Sequence, residues 1–85
     1  MGTGTYETGI RVRYAGPTNS RGSRFIVTNL LTGKRRTIDY NYAASYDPAM
    51  DAAVKAFNVQ PTDISRIGYT SDGSYYYVAR LPLSD

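Results

Sequence analysis

Asp47-Pro-Ala-Met-Asp-Ala-Ala-Val-Lys-Ala-Phe-Asn58 is the one stretch whose apolar spacing is helical, and its place among short alternating runs decides the fold class. Asp47 can accept from the free N–H groups of a first turn. Pro48 has no N–H to leave unsatisfied, and Asp51 brings negative charge to the positive end of the helix dipole. Met50, Ala53, Val54 and Phe57 recur at i, i+3, i+4 and i+7, the stripe expected to lie on a sheet. Asn58 tolerates left-handed backbone and Pro61 prevents continuation, so the helix is predicted to end there.

On both sides of this helix the period falls to two. Downstream, Ile64-Ser-Arg-Ile-Gly-Tyr-Thr70 and Tyr75-Tyr-Tyr-Val-Ala-Arg-Leu81 flank Asp72-Gly73, read as a two-residue hairpin turn with both φ positive. Tyr76 and Val78 fall on one face of the last strand; Tyr75, Tyr77 and Ala79 fall on the other. Pro82 stops that strand and is read as marking a sheet edge. Upstream, Ile10-Arg-Val-Arg-Tyr14 alternates strictly, and Arg24-Phe-Ile-Val-Thr-Asn29 is β-branched and aromatic. Leu30-Leu-Thr-Gly33 turns the chain into Lys34-Arg-Arg-Thr-Ile-Asp-Tyr40. The order β-β-β-α-β-β predicts an α+β fold, an antiparallel sheet with one helix packed across it. Residues 9–85 are read as a single domain and residues 1–8 as a flexible tail.

At 85 residues, a single core supplies only a few kcal/mol of net stability, so a homodimer covering the second aromatic face of the sheet would help. Cys and His are both absent, which removes disulfides, thiolate zinc sites and the commonest general base. Asp39, Tyr40 and Tyr42 form no acid–base arrangement. Asp47 and Asp51, one turn apart, are explained by the helix start without a cation. A binding protein is therefore expected rather than an enzyme, with no catalytic residue, metal or cofactor. No apolar run reaches the roughly 20 residues of a membrane span, so no membrane partner is expected and the cytoplasm is the expected location.

Charge is unevenly distributed along the chain. Residues 1–40 carry Arg11, Arg13, Arg21, Arg24, Lys34, Arg35 and Arg36 against Glu7 and Asp39, a net +5; the remainder is −2, which gives the overall +3. Eight of the ten cations are arginines, whose forked guanidinium suits phosphate and carboxylate. If Ile10 and Val12 point to the core, Arg11 and Arg13 lie on the opposite face. If Ile38 and Tyr40 also point inward, Arg35 joins Arg11 and Arg13 with Lys34 at the turn, while Arg36 shares the side of Ile38. Arginines interleaved with tyrosines on a sheet face are what phosphate contact and base stacking require, and they are equally common on a solvated face.

The longest polar connection, Tyr14-Ala-Gly-Pro-Thr-Asn-Ser-Arg-Gly-Ser-Arg24, is rich in turn formers. It presents Thr18, Asn19 and Ser23 beside Arg21 and Arg24, chemistry suited to an anion and also to an ordinary hairpin loop. Together with Ile38-Asp-Tyr40, Tyr42-Ala43, a helix and a final Asp72-Gly73-x-Tyr75 hairpin, this loop resembles those of small proteins encoded by phages and mobile elements. The chain differs from them in its longer, more basic central hairpin. The resemblance implies an accessory protein that binds host or defence components in the host-cell cytoplasm, and it singles out Arg21 and Arg24.

These readings converge on a binding module. The expected partner is nucleic acid, held at its phosphates by Arg11, Arg13, Thr18, Asn19, Arg21, Ser23, Arg24, Lys34, Arg35 and Arg36, with Tyr42, Tyr75 and Tyr77 as stacking or interface residues. The alternatives are an acidic host or defence protein inhibited by contact, and a small anionic nucleotide.

Overall fold

Thr5–Ala15 forms an eleven-residue strand, β1, against which both halves of the sheet are laid. The computed structural model describes residues 4–20, 22–43 and 47–83. Arg24–Asn29 (β2) pairs antiparallel with the second half of β1, and Arg35–Asp39 (β3) pairs with β2. Pro48–Phe57 (α1) then crosses to the far side of the sheet. There Ile64–Tyr69 (β4) and Ser74–Pro82 (β5) form a hairpin whose β5 lies against residues 5–13 of β1. The strand order is β3-β2-β1-β5-β4, five antiparallel strands with one helix across them, the predicted α+β arrangement.

Residues 5–8, expected in a flexible tail, are strand. Thr5, Tyr6, Glu7 and Thr8 stand opposite Pro82, Leu81, Arg80 and Ala79. Tyr6 and Thr8 continue the inward face of Ile10 and Val12, but a threonine next to Gly9 carries no hydrophobic alternation to read. Pro82 does not mark an edge either, because β5 lies inside the sheet and β3 and β4 are its borders; the proline occupies the strand's last position.

Helix α1 starts and stops as its sequence requires. The Asp47 carboxylate accepts from Ala49 N at 3.0 Å, and Asn58 at φ 54° turns its N–H to the Val54 carbonyl. Its inward stripe is Ala49, Ala52, Ala53 and Ala56 with Phe57, whereas Met50 and Val54, two of the four predicted core positions, are half-buried flanks. Small side chains let the helix axis approach the sheet closely, so the larger residues sit beside the contact line. Beneath it lie Ile10, Val12, Phe25, Val27, Tyr77, Ala79 and Leu81.

The β4–β5 turn differs from the two-residue form. Only Gly73 has positive φ, at 86°, while Gly73 N donates to Thr70 O and Thr70 N to Ser74 O, a three-residue loop with a left-handed glycine. The Asp72 side chain prefers to accept from Ser74 N and the Thr70 hydroxyl, which holds it out of a left-handed conformation.

Two polar groups fix the assembly. Asn29, with no exposed surface, accepts from Thr8 Oγ1 at 2.7 Å and Leu31 N at 3.0 Å and donates to the Tyr6 hydroxyl at 3.0 Å. It thereby ties the β2–β3 turn to β1. At the other end, Asp47 Oδ2 accepts from Arg66 Nη1 at 3.1 Å and from the Tyr77 hydroxyl at 3.3 Å. Burial, reinforced by the Asp47 charge, pushes the Tyr77 phenol well above its ordinary value of 10.0.

Asn29→Ala removes the buried acceptor of the Thr8 hydroxyl and of the Leu31 N–H, and is expected to lower unfolding free energy by about 2–4 kcal/mol in urea titrations. Leu31→Ala, on the exposed tip of the same turn, should change it by less than about 0.5 kcal/mol. The Tyr77 phenol keeps its proton in the fold at pH values where the unfolded chain releases it. Its contribution is intact below about pH 10 and is lost as pH rises above it. In Tyr77→Phe the decline of stability above pH 10 should be shallower by about 1.4 kcal/mol per pH unit than in the parent, measured by denaturation at successive pH values.

Candidate functional site

Because α1 covers one side of the sheet, the residues alternating to the other side form an open face. Pairing registers set Arg35, Thr28, Arg11 and Tyr76 side by side across β3, β2, β1 and β5. The next outward row holds Thr37, Ile26 and Arg13. With strands about 4.8 Å apart, Arg35 and Arg11 are roughly 10 Å from each other, and Arg13 lies about 7 Å further along β1. Arg13, Lys34 and Arg35 are exposed and Arg11 is half-buried. The grouping of Arg11, Arg13 and Arg35 expected from alternation is thus present in three dimensions.

Among the described residues three ion pairs form, Lys55–Asp51 at 3.3 Å, Arg66–Asp47 at 3.1 Å and Arg80–Glu7 at 3.4 Å, and none uses Arg11, Arg13, Lys34 or Arg35. Arg11 Nε and its cross-strand neighbour Thr28 Oγ1 are shielded from solvent with no hydrogen-bond partner among the described residues, a cost to stability at the centre of the face. Asp72 bounds the face at the β4–β5 turn. The Thr70 hydroxyl and then the Ser74 N–H hold its carboxyl below the usual range, and the Arg13 charge adds to this, so the border is acidic at neutral pH.

Other candidates are used elsewhere. Arg36 lies on the covered side, where its Nε donates to the Ala56 carbonyl at 2.9 Å and its guanidinium sits 5.8 Å from the Phe57 ring centre. It satisfies an orphan carbonyl at the negative end of α1 and is withdrawn from the face. Arg24 Nη1 reaches the Gly16 and Gly22 carbonyls, each at 3.4 Å, and Ser23 Oγ shares a hydrogen bond with the Tyr14 hydroxyl at 2.9 Å. Both side chains close the 16–24 loop instead of projecting from it. Thr18 and Asn19 are exposed on the loop, and Arg21 lies outside the described residues.

The tyrosines are also redistributed. Tyr77, read as an interface residue, is 1% exposed and part of the core. Tyr75 is on the helix side, with the Arg66 guanidinium 5.8 Å from its ring centre. Tyr42 is 83% exposed and rests on Tyr40, ring centres 4.5 Å apart, away from the arginines. The aromatic ring on the arginine face is that of Tyr76, opposite Arg11. Alternation had separated Tyr76 from Tyr75 and Tyr77; the missing signal was which side α1 would cover. Leu30 and Val78 add an apolar border to the same face.

No group of three or more metal-ligating side chains converges among the described residues. Asp47 is occupied by its cap and Arg66, and Asp51 by Lys55 and by Asn41 Nδ2 at 3.4 Å. The face therefore offers cationic donors, hydroxyls and one stacking ring. No family model matches the chain, and neither a curated protein nor a solved structure does.

Proposed function

We propose that the protein binds single-stranded nucleic acid across the helix-free face of its sheet. The observation that carries this reading is the set of three arginines, Arg11 and Arg13 on β1 and Arg35 on β3, on the helix-free face either side of β2, none of them in an ion pair among the described residues. Guanidinium groups in such a row contact successive phosphates, Lys34 extends the positive rim, and Tyr76 offers a ring for an unstacked base. A duplex keeps its bases stacked and gives Tyr76 no partner. Phosphate contacts and one stacking ring carry little sequence information, so recognition is backbone-directed and tolerant of sequence.

Leu30, Leu31 and Val78, exposed by 48, 68 and 37%, favour a second reading, an acidic protein that covers the arginines and this apolar border together. Both partners suit an accessory factor of the phage type that the 16–24 loop resembles.

Fluorescence anisotropy with labelled single-stranded DNA, single-stranded RNA and duplex DNA over a salt series separates the two. Binding should favour the single strands. Each of Arg11→Ala, Arg13→Ala and Arg35→Ala should weaken it and flatten the dependence of log K on log salt by about 0.7. Tyr76→Ala should cost about 1–3 kcal/mol of affinity with the salt slope kept, and Arg66→Ala, on the other side, should change nothing. Absence of binding to all three nucleic acids at low salt would reject the reading and leave the acidic protein.

A further inference from the structure

On the covered side of the sheet, beyond the N-terminus of α1, is a cavity of about 360 Å³. Tyr14, Phe25, Tyr40, Tyr42 and Tyr75 line it together with Asp47, and Pro48 and Ala49 close it from the helix. Its size is at the lower end of small-molecule sites. Phe25 and Tyr40 are stacked at 5.3 Å with ring planes 22° apart, and Tyr42 lies on Tyr40 at 4.5 Å. Tyr14 stands edge-on to both Phe25 and Tyr40, at 5.7 and 6.2 Å. The lining thus offers flat ring faces on one wall and the polar start of a helix on another.

The charge balance narrows the ligand class. An aromatic-lined cavity with a carboxylate would suit a cation, but the Asp47 charge is already matched by Arg66 at 3.1 Å. An anion would meet that carboxylate with no cation among the described lining residues. An alkyl group would leave the polar wall unused. What remains is a neutral planar ring with hydrogen-bonding edges. Asp47 has three commitments, to Ala49 N, Arg66 and Tyr77, out of about four acceptor positions, which leaves room for one N–H donor. The phenol groups of Tyr40, Tyr42 and Tyr75 make no hydrogen bond to another described residue, and so add donors and acceptors at the rim.

We infer that this cavity is a nucleobase site, in which a purine or pyrimidine ring lies against the Tyr40–Tyr42 wall and turns an N–H edge to Asp47. It is separate from the arginine face, because Val12 and Tyr14 alternate to the side opposite Arg11 and Arg13. The base belongs either to a free nucleoside or to a strand that reaches the cavity past the rim at Tyr42.

The test is titration of the ¹⁵N-labelled protein with adenosine, guanosine, cytidine and uridine at millimolar concentration, with a short single-stranded oligonucleotide, and with tetramethylammonium as a cation probe. At least one nucleoside, or the oligonucleotide, should shift the Tyr40, Tyr42, Ala49 and Tyr75 amides. Tyr42→Ala, which truncates an exposed side chain and leaves the fold intact, should weaken that response by about fivefold or more. Shifts with nucleosides that persist in an Arg11→Ala/Arg13→Ala/Arg35→Ala variant assign the site to a free nucleoside. Shifts with the oligonucleotide alone that vanish in this variant assign it to a base of a bound strand. Failure of the arginine face would remove anisotropy binding without touching the nucleoside shifts. The inference is overturned if neither nucleosides nor oligonucleotide move the cavity amides, if tetramethylammonium alone does so, or if Tyr42→Ala responds as the parent does.

Discussion

The Asp47 carboxylate fixes where the helix lies, and the helix decides which face of the sheet is left open. One oxygen caps α1 through Ala49 N; the other holds Arg66 of β4 and the hydroxyl of Tyr77 on β5. Tyr77 in turn stands opposite Ile10 at the centre of β1. The chain runs from β3, at one border of the sheet, to β4 at the other, so α1 must cross the whole width, and a fixed start converts that crossing into one covered side. A half-exposed carboxylate with only a surface ion pair would contribute little to stability. Here the same group also satisfies a helix N–H and a core phenol, and losing it would leave both unpaired.

The uneven charge of the sequence becomes spatial through the way acids are consumed. Asp47, Asp51 and Glu7 are engaged by Arg66, Lys55 and Arg80, and the Asp72 carboxylate turns to Thr70 and Ser74. Backbone carbonyls take two more cations, Arg36 at the end of α1 and Arg24 in the 16–24 loop. Among the described residues Arg11, Arg13, Lys34 and Arg35 are left without such partners, with Arg11 Nε desolvated among them. Like charges held together on a rigid sheet repel each other, and a domain with so small a core has little stability to spare. That repulsion, which Asp72 relieves in part at Arg13, is the physical ground for reading the face as a place where a polyanion docks.

Local rules made the elements legible. The caps of α1 follow from Asp47, Pro48 and Asn58, and strict alternation put Arg11, Arg13 and Arg35 on one side before any tertiary contact was considered. What alternation does not contain is which side the helix takes, so Tyr76 and Tyr77 were separable but not assignable. Properties set by close approach were also invisible, since Ala49, Ala52 and Ala56 join the predicted Ala53 in the helix–sheet contact and a hydrophobicity pattern weights them below Met50 and Val54. Arg24 and Arg36 look like free cations in a sequence because the carbonyls they bind, Gly16, Gly22 and Ala56, have no side-chain signature.

The separation of the arginine face from the aromatic cavity depends on the register of β1. With a side-chain period of two, a slip of one residue would carry Arg11 and Arg13 into the core and Val12 and Tyr14 out of it. The half of β1 around Thr8 and Gly9 has little hydrophobic pattern to resist that slip. Polar and steric devices supply the resistance: Thr8 Oγ1 donates to the buried Asn29, and Leu30 N donates to Gly9 O at 2.8 Å. A Cβ at position 9 would stand 3.3 Å from Leu30 Cδ1, so the small residue admits the turn against the strand. Asn29 is thus more than a turn residue. By locking β2 to β1 at one pairing, it keeps the charged and aromatic surfaces on opposite sides of a single sheet.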